Sequence, residues 1–291
     1  MAKARALDRR RKSIKSIRKI TRTMELISSA KFRKAMARAI AASAYTKRIT
    51  NLVGHLTAAG TEVKHPLLEV HTEMKKGALL VISANRGLCG GYNSSILRLG
   101  LNQLKQLQGE VPNVRLEVSG KRGISAFRFR KHEIAEAFTQ FEDKPTFAEV
   151  DELAKRYLQW YQSGELDRMD VVYTKFESAG RQFAVAETLL PLPRLEVETE
   201  SHSAAKVQYE FLPSAESIVD EVVPASFKVK LFKCFLDAAV SEQIARRVAM
   251  KAATESADDM IKSLTRLYNR ARQSQITKEI AEVIGGAAAL E

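Results

Sequence analysis

The densest cluster of residues capable of chemistry is S-A-N-R-G-L-C-G-G-Y-N, Ser83 to Asn93. It follows an apolar run, Gly77–Ser83, and precedes a helical pattern, the place where a Rossmann-type unit would hold a nucleotide. A phosphate-binding loop needs a lysine and then Ser or Thr after its last glycine, so that amides and ammonium cradle the phosphates. Here Gly91 is followed by Tyr92 and Asn93. A dinucleotide fingerprint needs the G-x-G-x-x-G spacing, which Gly87, Gly90 and Gly91 do not supply. The loop is therefore read as a tight turn with close backbone packing. Cys89 beside Arg86 has one ingredient of an acidic thiol, but a buried structural cysteine is the preferred reading. His55, His65, His71, His132 and His202 show no metal-ligand spacing. Glu149, Asp151 and Glu152 read as one solvated helix face. The expectation is a chain with no cofactor, no metal and no catalysis of its own.

The elements around this loop are unusual at the two ends of the chain. No glycine or proline interrupts Met1 to Val53, and none interrupts Ala225 to Ile284. As helices each would extend roughly 80–90 Å at 1.5 Å per residue. In the first, Ile14, Ile17, Ile20, Met24, Ile27 and Ala30 step by three or four, which predicts a packed seam. Ala35, Ala37, Ala39, Ala41, Ala42 and Ala44 then predict a close-packing, small-residue seam. The second helix repeats the pattern with Phe227, Leu231, Phe235, Ala238, Ala239, Ala245, Val248 and Ala252. Met260, Ile261, Leu264, Leu267, Ala271, Ile276, Ile280 and Val283 carry it on. Pro224 is the expected start and Gly285 the expected stop, with Ala287 to Leu290 as an apolar tip. An antiparallel pair is the simplest arrangement; two separate core helices of a larger bundle are the alternative.

Between them, strands are predicted at Gly77–Ser83, Val114–Ser119 and Met169–Phe176. Later antiparallel strands are predicted at Gln182–Thr188 and Val207–Phe211. Helices are predicted from about Ser94 to Gln108 and at Phe147–Gln162. Strand–helix–strand order predicts a small α/β sheet. The expected fold class is thus α/β plus a long antiparallel coiled coil, the terminal helices paired as a shaft around a small Rossmann-like sheet domain. The expected division is 1–55 and 213–291 for the two shaft helices and 75–212 for the α/β domain.

The formal net charge is +13, and residues 1–53 hold 16 Lys or Arg against two acids, Asp8 and Glu25. A basic helix of this kind implies an acidic partner: nucleic acid, anionic lipid or an acidic protein surface. Two cysteines, Cys89 and Cys234, make no disulfide framework. No apolar h-region follows the basic N-terminus and no apolar run is long enough to span a bilayer, so peripheral membrane association is the expected limit.

Three segments resemble the gamma subunit of F-type ATP synthases of the bacterial type. They are R-R-R-K-S-I-K-S-I-R-K-I-T-R-T-M-E-L-I-S-S-A-K (Arg9 to Lys31), N-R-G-L-C-G-G-Y-N (Asn85 to Asn93) and L-Y-N-R-A-R-Q-S-Q-I-T-K-E-I-A-E-V-I-G-G-A-A-A-L (Leu267 to Leu290). The resemblance implies a non-catalytic rotary shaft coupling a membrane c-ring, driven by ion flow, to the alpha and beta subunits that make ATP from ADP and phosphate. It implies an epsilon subunit partner and a peripheral position on the cytoplasmic side of the cell (inner) membrane. It implies contacts to the alpha/beta ring at Arg9, Arg10, Met24, Arg272, Gln273 and Thr277, and to the c-ring at Tyr209 and Glu210. Spacing alone reads Met24 as a seam residue and Gln273 with Thr277 as a polar helix face. The competing class is a basic coiled-coil protein that binds nucleic acid through its first helix.

Overall fold

The structure, a computed structural model, describes residues 2–58, 65–69, 71, 74–141, 144–192 and 215–288. Contacts divide the chain into two compact units, Met1–Ser29 with Arg246–Glu291, and Ala30–Ala245. Two helices contribute residues to both: α1, Ala2–Ala58, and α5, Ala215–Ala288. Both are longer than expected. Helix α1 runs through Gly54, a single glycine costing about 1 kcal/mol against alanine. Pro224 lies inside α5 rather than at its start. An interior proline costs about 3 kcal/mol, but the turns before it bury Val219 and Val223 almost completely, each contributing about 1.5–3 kcal/mol. The Ser226 hydroxyl also donates to the Val223 carbonyl at 2.7 Å. Gly285 and Gly286 likewise fall within the helix, not after it. The expected apolar tip, Ala287 to Leu290, has its side chains outside the described residues.

The second unit is built on a five-stranded sheet in the order β3-β2-β1-β4-β5. Its strands are β1 (Lys76–Ile82), β2 (Asn113–Ser119), β3 (Glu136–Phe138), β4 (Arg168–Ser178) and β5 (Arg181–Leu190). Strand β1 pairs parallel with β2 and β4, β2 parallel with β3, and β4 antiparallel with β5. The central β1 alternates its side chains between two covered faces, which is why its sequence is continuously apolar. Ala78, Leu80 and Ile82 join a core with α4 (Phe147–Gln162) and α5, around Tyr157, Phe227, Leu231 and Phe235. Leu79 and Val81 join one with α2 (Tyr92–Glu110) and α3 (Lys121–Phe129), around Ile96, Leu107 and Phe127. Helix α3 and strand β3 were not expected from sequence: nine and three residues are too short for a periodicity to stand out. The expected strand at Val207–Phe211 lies outside the described residues.

Within this unit α1 and α5 also pack on each other, through Phe32, Ala35 and Ala39 against Leu236, Val240 and Ile244. Ala37, Ala41 and Ala44 of the expected small seam are exposed instead. They sit on the faces of α1 turned away from that cluster.

In the first unit the helices are antiparallel, since Thr21 meets Thr254, Arg18 meets Asp258 and Arg11 meets Tyr268. The expected isoleucine seam is overturned there. Ile17, Ile20 and Ile27 are 45–59% exposed, while Ile14 and Met24 are half-buried; Ala30, in the second unit, is exposed as well. The buried positions are Thr21, Glu25 and Ser28. On α5 likewise Met250, Thr254, Ala257 and Leu264 are buried, whereas Val248, Met260, Leu267, Ile276, Ile280 and Val283 are exposed. The apolar spacing is real, but the partner helix meets the neighbouring face, where small and hydroxyl side chains allow close approach.

Candidate partner-binding surface

The glycine-rich loop is occupied by its own polar groups. The Ala84 amide donates to Asn93 Oδ1 at 3.1 Å and the Lys121 amide to Asn85 Oδ1 at 3.0 Å. Asn85 Nδ2 donates onward to the Thr139 and Phe141 carbonyls. The loop thereby ties β1 to α3 and to the segment after β3. Gly120, with φ +98°, lets its backbone approach Ser83 so closely that a Cβ would collide with the Ser83 carbonyl. Cys89 is buried, with Asn93 Nδ2 3.1 Å from its sulfur. Burial pushes the Cys234 thiol up to about 12. Neither setting is that of a reactive thiolate.

Two of the other candidate groups, His65 and His71, are held in structural contacts. His65 Nδ1 accepts from the Leu67 amide at 3.1 Å, and burial lowers its pKa. His71 Nδ1 lies 2.7 Å from Asp167 Oδ1, and its ring stacks on Tyr161. The face carrying Glu149 and Asp151 is not merely solvated. Glu149 closes a capping box with Thr146 at the start of α4, and Asp151 joins Lys228 at 2.9 Å, fastening α4 to α5. Among the described residues no group of His, Cys, Asp or Glu could hold a metal ion.

The first unit has a different character. It holds 18 Lys or Arg against 8 Asp or Glu, a net +10 of the chain's +13. Its two helices border an open groove of about 590 Å³, lined by Arg18, Lys19, Arg22, Lys251, Glu25, Glu255, Asp258, Thr23 and Thr254. Thr21 and Thr254 join their hydroxyls at 2.8 Å across the seam. Arg18 pairs with Asp258 across it. Arg22 holds Glu25 at 2.9 and 3.0 Å. Sequence reasoning passed over these seam residues; the signal available was the i, i+4, i+7 spacing of Thr21, Glu25 and Ser28. Near the start of α1 the Asp8 carboxyl is held below its ordinary value, chiefly by the Lys12 ammonium; burial opposes this, and Arg11 adds to the lowering.

All six residues expected to meet an alpha/beta ring fall in this unit. Arg9, Arg10, Arg272, Gln273 and Thr277 are exposed, and Met24 is half-buried. Gln273 and Thr277 stand one turn apart, the Thr277 hydroxyl donating to the Gln273 carbonyl at 3.0 Å. Exposed beside them on α5 are Ile276 and Ile280. Such a surface offers ion pairs and apolar contact to a protein partner; it presents no enclosed pocket and no activated nucleophile among the described residues. Tyr209 and Glu210 lie outside the described residues. No helix among the described residues is long and apolar enough to cross a membrane.

Known proteins resemble this chain along its whole length. A family model described as ATP synthase matches residues 3–290. The ATP synthase gamma chain of Rhodopirellula baltica is 60% identical over 295 residues, covering 100% of each chain. That of Leptospira biflexa is 39% identical over 290 residues, again covering 100% of each. Among solved structures, a chain of the Euglena gracilis mitochondrial ATP synthase (OSCP/F1/c-ring) superposes with a TM-score of 0.63 at 18% identity, over 99% of this chain and 95% of that one. A chain of the Tetrahymena thermophila central stalk and c-ring gives 0.56 at 20% identity, over 80% and 99%. The structural likenesses speak for the fold, and the full-length identities speak for descent: the chain belongs to the ATP synthase gamma-chain family.

Proposed function

We propose that this chain is the central rotary shaft of an F-type ATP synthase, carrying torque between a membrane c-ring turned by ion flow and the alpha/beta ring that makes ATP. The observation that carries this reading is the 60% identity to a gamma chain across the full length of both proteins. The chain is a non-catalytic part of an enzyme: its loop amides, its buried thiols and the His65 and His71 rings are engaged in holding the fold, and ATP chemistry belongs to the alpha and beta subunits. Functionally, residues 1–55 and 213–291 serve as the shaft helices and 75–212 as the α/β domain. The epsilon subunit is a further partner, and the assembly sits peripherally on the cytoplasmic side of the cell membrane.

Arg272, Gln273 and Thr277 serve as contacts to the beta subunits, with Met24 facing an acidic beta-subunit lever and Arg9 and Arg10 nearby as partners for acidic groups. Tyr209 and Glu210 serve the c-ring. The exposure of Arg9, Arg10, Arg272, Gln273 and Thr277 supports the ring contacts, because a contact residue spent inside its own fold has nothing left to offer. Gln273→Trp with Thr277→Trp in the assembled complex is expected to lower ATP turnover about tenfold, equivalent to ~1.4 kcal/mol, with the α/β unit still folded. Full coupled activity in that double variant counts against these contacts. The nucleic-acid reading rests on the charge of α1 alone; salt-sensitive binding of random DNA without any association with alpha and beta subunits would revive it.

A further inference from the structure

Helix α3 turns Gly123, Ile124 and Phe127 into the core of its unit. Its other face carries Lys121, Arg122, Arg128 and Phe129, and Arg130 and Lys131 follow directly; all six are exposed. Phe129 is 86% exposed, more than any other large hydrophobic side chain among the described residues. None of the five cations makes an ion pair among the described residues. Arg130 directs one guanidinium N–H to the Ala126 carbonyl of its own helix at 3.1 Å. The contrast within the same unit is sharp: Arg156 is matched to Glu117, Arg168 to Asp170, Lys175 to Glu187 and Lys228 to Asp151. No acid occurs from Lys121 to His132.

Five cations without an ion pair among the described residues lie together here, around an aromatic ring pointed at solvent. We propose that this face docks on an anionic lipid surface, Phe129 entering the boundary between headgroups and acyl chains while the flanking cations hold lipid phosphates. The charge supplies the sign of the ligand. The shape supplies its kind: a nine-residue helix, about 13 Å long, presents a convex stripe with its apolar member outermost. A fluid interface receives such a stripe without a complementary groove, and Arg and Lys stems reach back to the phosphates beside an inserted ring. This inference needs only α3 and its neighbours; it stands apart from the torque reading.

The test uses the full chain carrying Phe129→Trp, with the unsubstituted protein giving the background from native Trp160. Vesicles of phosphatidylcholine, with and without phosphatidylglycerol, carry bromine on their acyl chains as a contact quencher. The expected result is roughly twofold quenching of the introduced indole by anionic vesicles and none by neutral ones. Adding Arg128→Glu and Arg130→Glu should weaken that binding about tenfold or more, with an unchanged far-ultraviolet spectrum. Vesicles that bind the chain while the introduced indole stays unquenched would overturn the proposal, since the basic α1 would then be the anchor. Quenching that survives the charge reversals would overturn it too. Inorganic phosphate that displaces the signal at low concentration would identify a phosphate-ion site instead. Charge reversals that abolish binding of alpha, beta or epsilon subunits while sparing vesicle binding would identify a protein contact in its place.

Discussion

In the first unit α1 and α5 meet across Thr21, Glu25 and Thr254, whereas in the second the same two helices meet across Phe32, Ala35, Leu236 and Val240. Burying Leu236 and Val240 contributes about 1.5–3 kcal/mol apiece. A hydroxyl pair contributes about 0.5–1.5 kcal/mol net, and a half-exposed pair such as Arg18–Asp258 about 0–1. One stretch of paired helix is thus sealed by its apolar side chains. The other buries Met250, Ala257 and Leu264 but turns Ile17, Ile20, Leu26 and Ile27 outward. Holding a fold together and offering a surface to another protein draw on the same limited set of apolar residues, and the two units divide them differently.

The most disruptive change should fall in the closely packed unit. Gly120→Ala drives a methyl group into the Ser83 carbonyl at a left-handed backbone position and is expected to cost more than ~3 kcal/mol; chemical denaturation reads it. Leu236→Ala should cost about 2–5 kcal/mol, against about 1 for Thr254→Ala. Amide exchange should show the first loosening residues 30–44 and the second only residues near 21. Equal losses would erase the proposed difference between the seams.

The second unit should also carry an acid-sensitive element. Burial acts to raise Asp167, but the His71 ring and the Lys75 and Lys76 amides outweigh it and hold the carboxyl below the ordinary aspartate value. A depressed carboxyl contributes stability above its unfolded value and loses it as pH falls through the folded one. Asp167→Asn should therefore cost about 1.5–3 kcal/mol at pH 7 and progressively less below about pH 4, as read from urea midpoints across pH. A deficit that stays constant down to the lowest pH contradicts the account. The smallest effect belongs to the polar seam. Thr21→Val with Thr254→Val removes both members of the hydroxyl pair and should leave stability within about 0.5 kcal/mol, or raise it. A loss above ~2 kcal/mol would show that the polar seam is a strong one.

Long stretches without glycine or proline, such as residues 2–53, announced their helices, and the unbroken apolar run Gly77–Ile82 announced a strand covered on both faces. These are local properties: backbone sterics and residue polarity settle them within a few turns. The failure of the glycine-rich loop to match a phosphate motif was equally legible in Tyr92 and Asn93. Tertiary structure alone decided that Pro224 lies inside α5, because the burial of Val219 and Val223 against a distant core offsets the local cost. It also decided which side of α1 faces α5. A helical period shows that Ile17, Ile20, Met24 and Ile27 share a face, but only the position of the other helix determines whether that face is interior, and here Thr21, Glu25 and Thr254 occupy the interface instead.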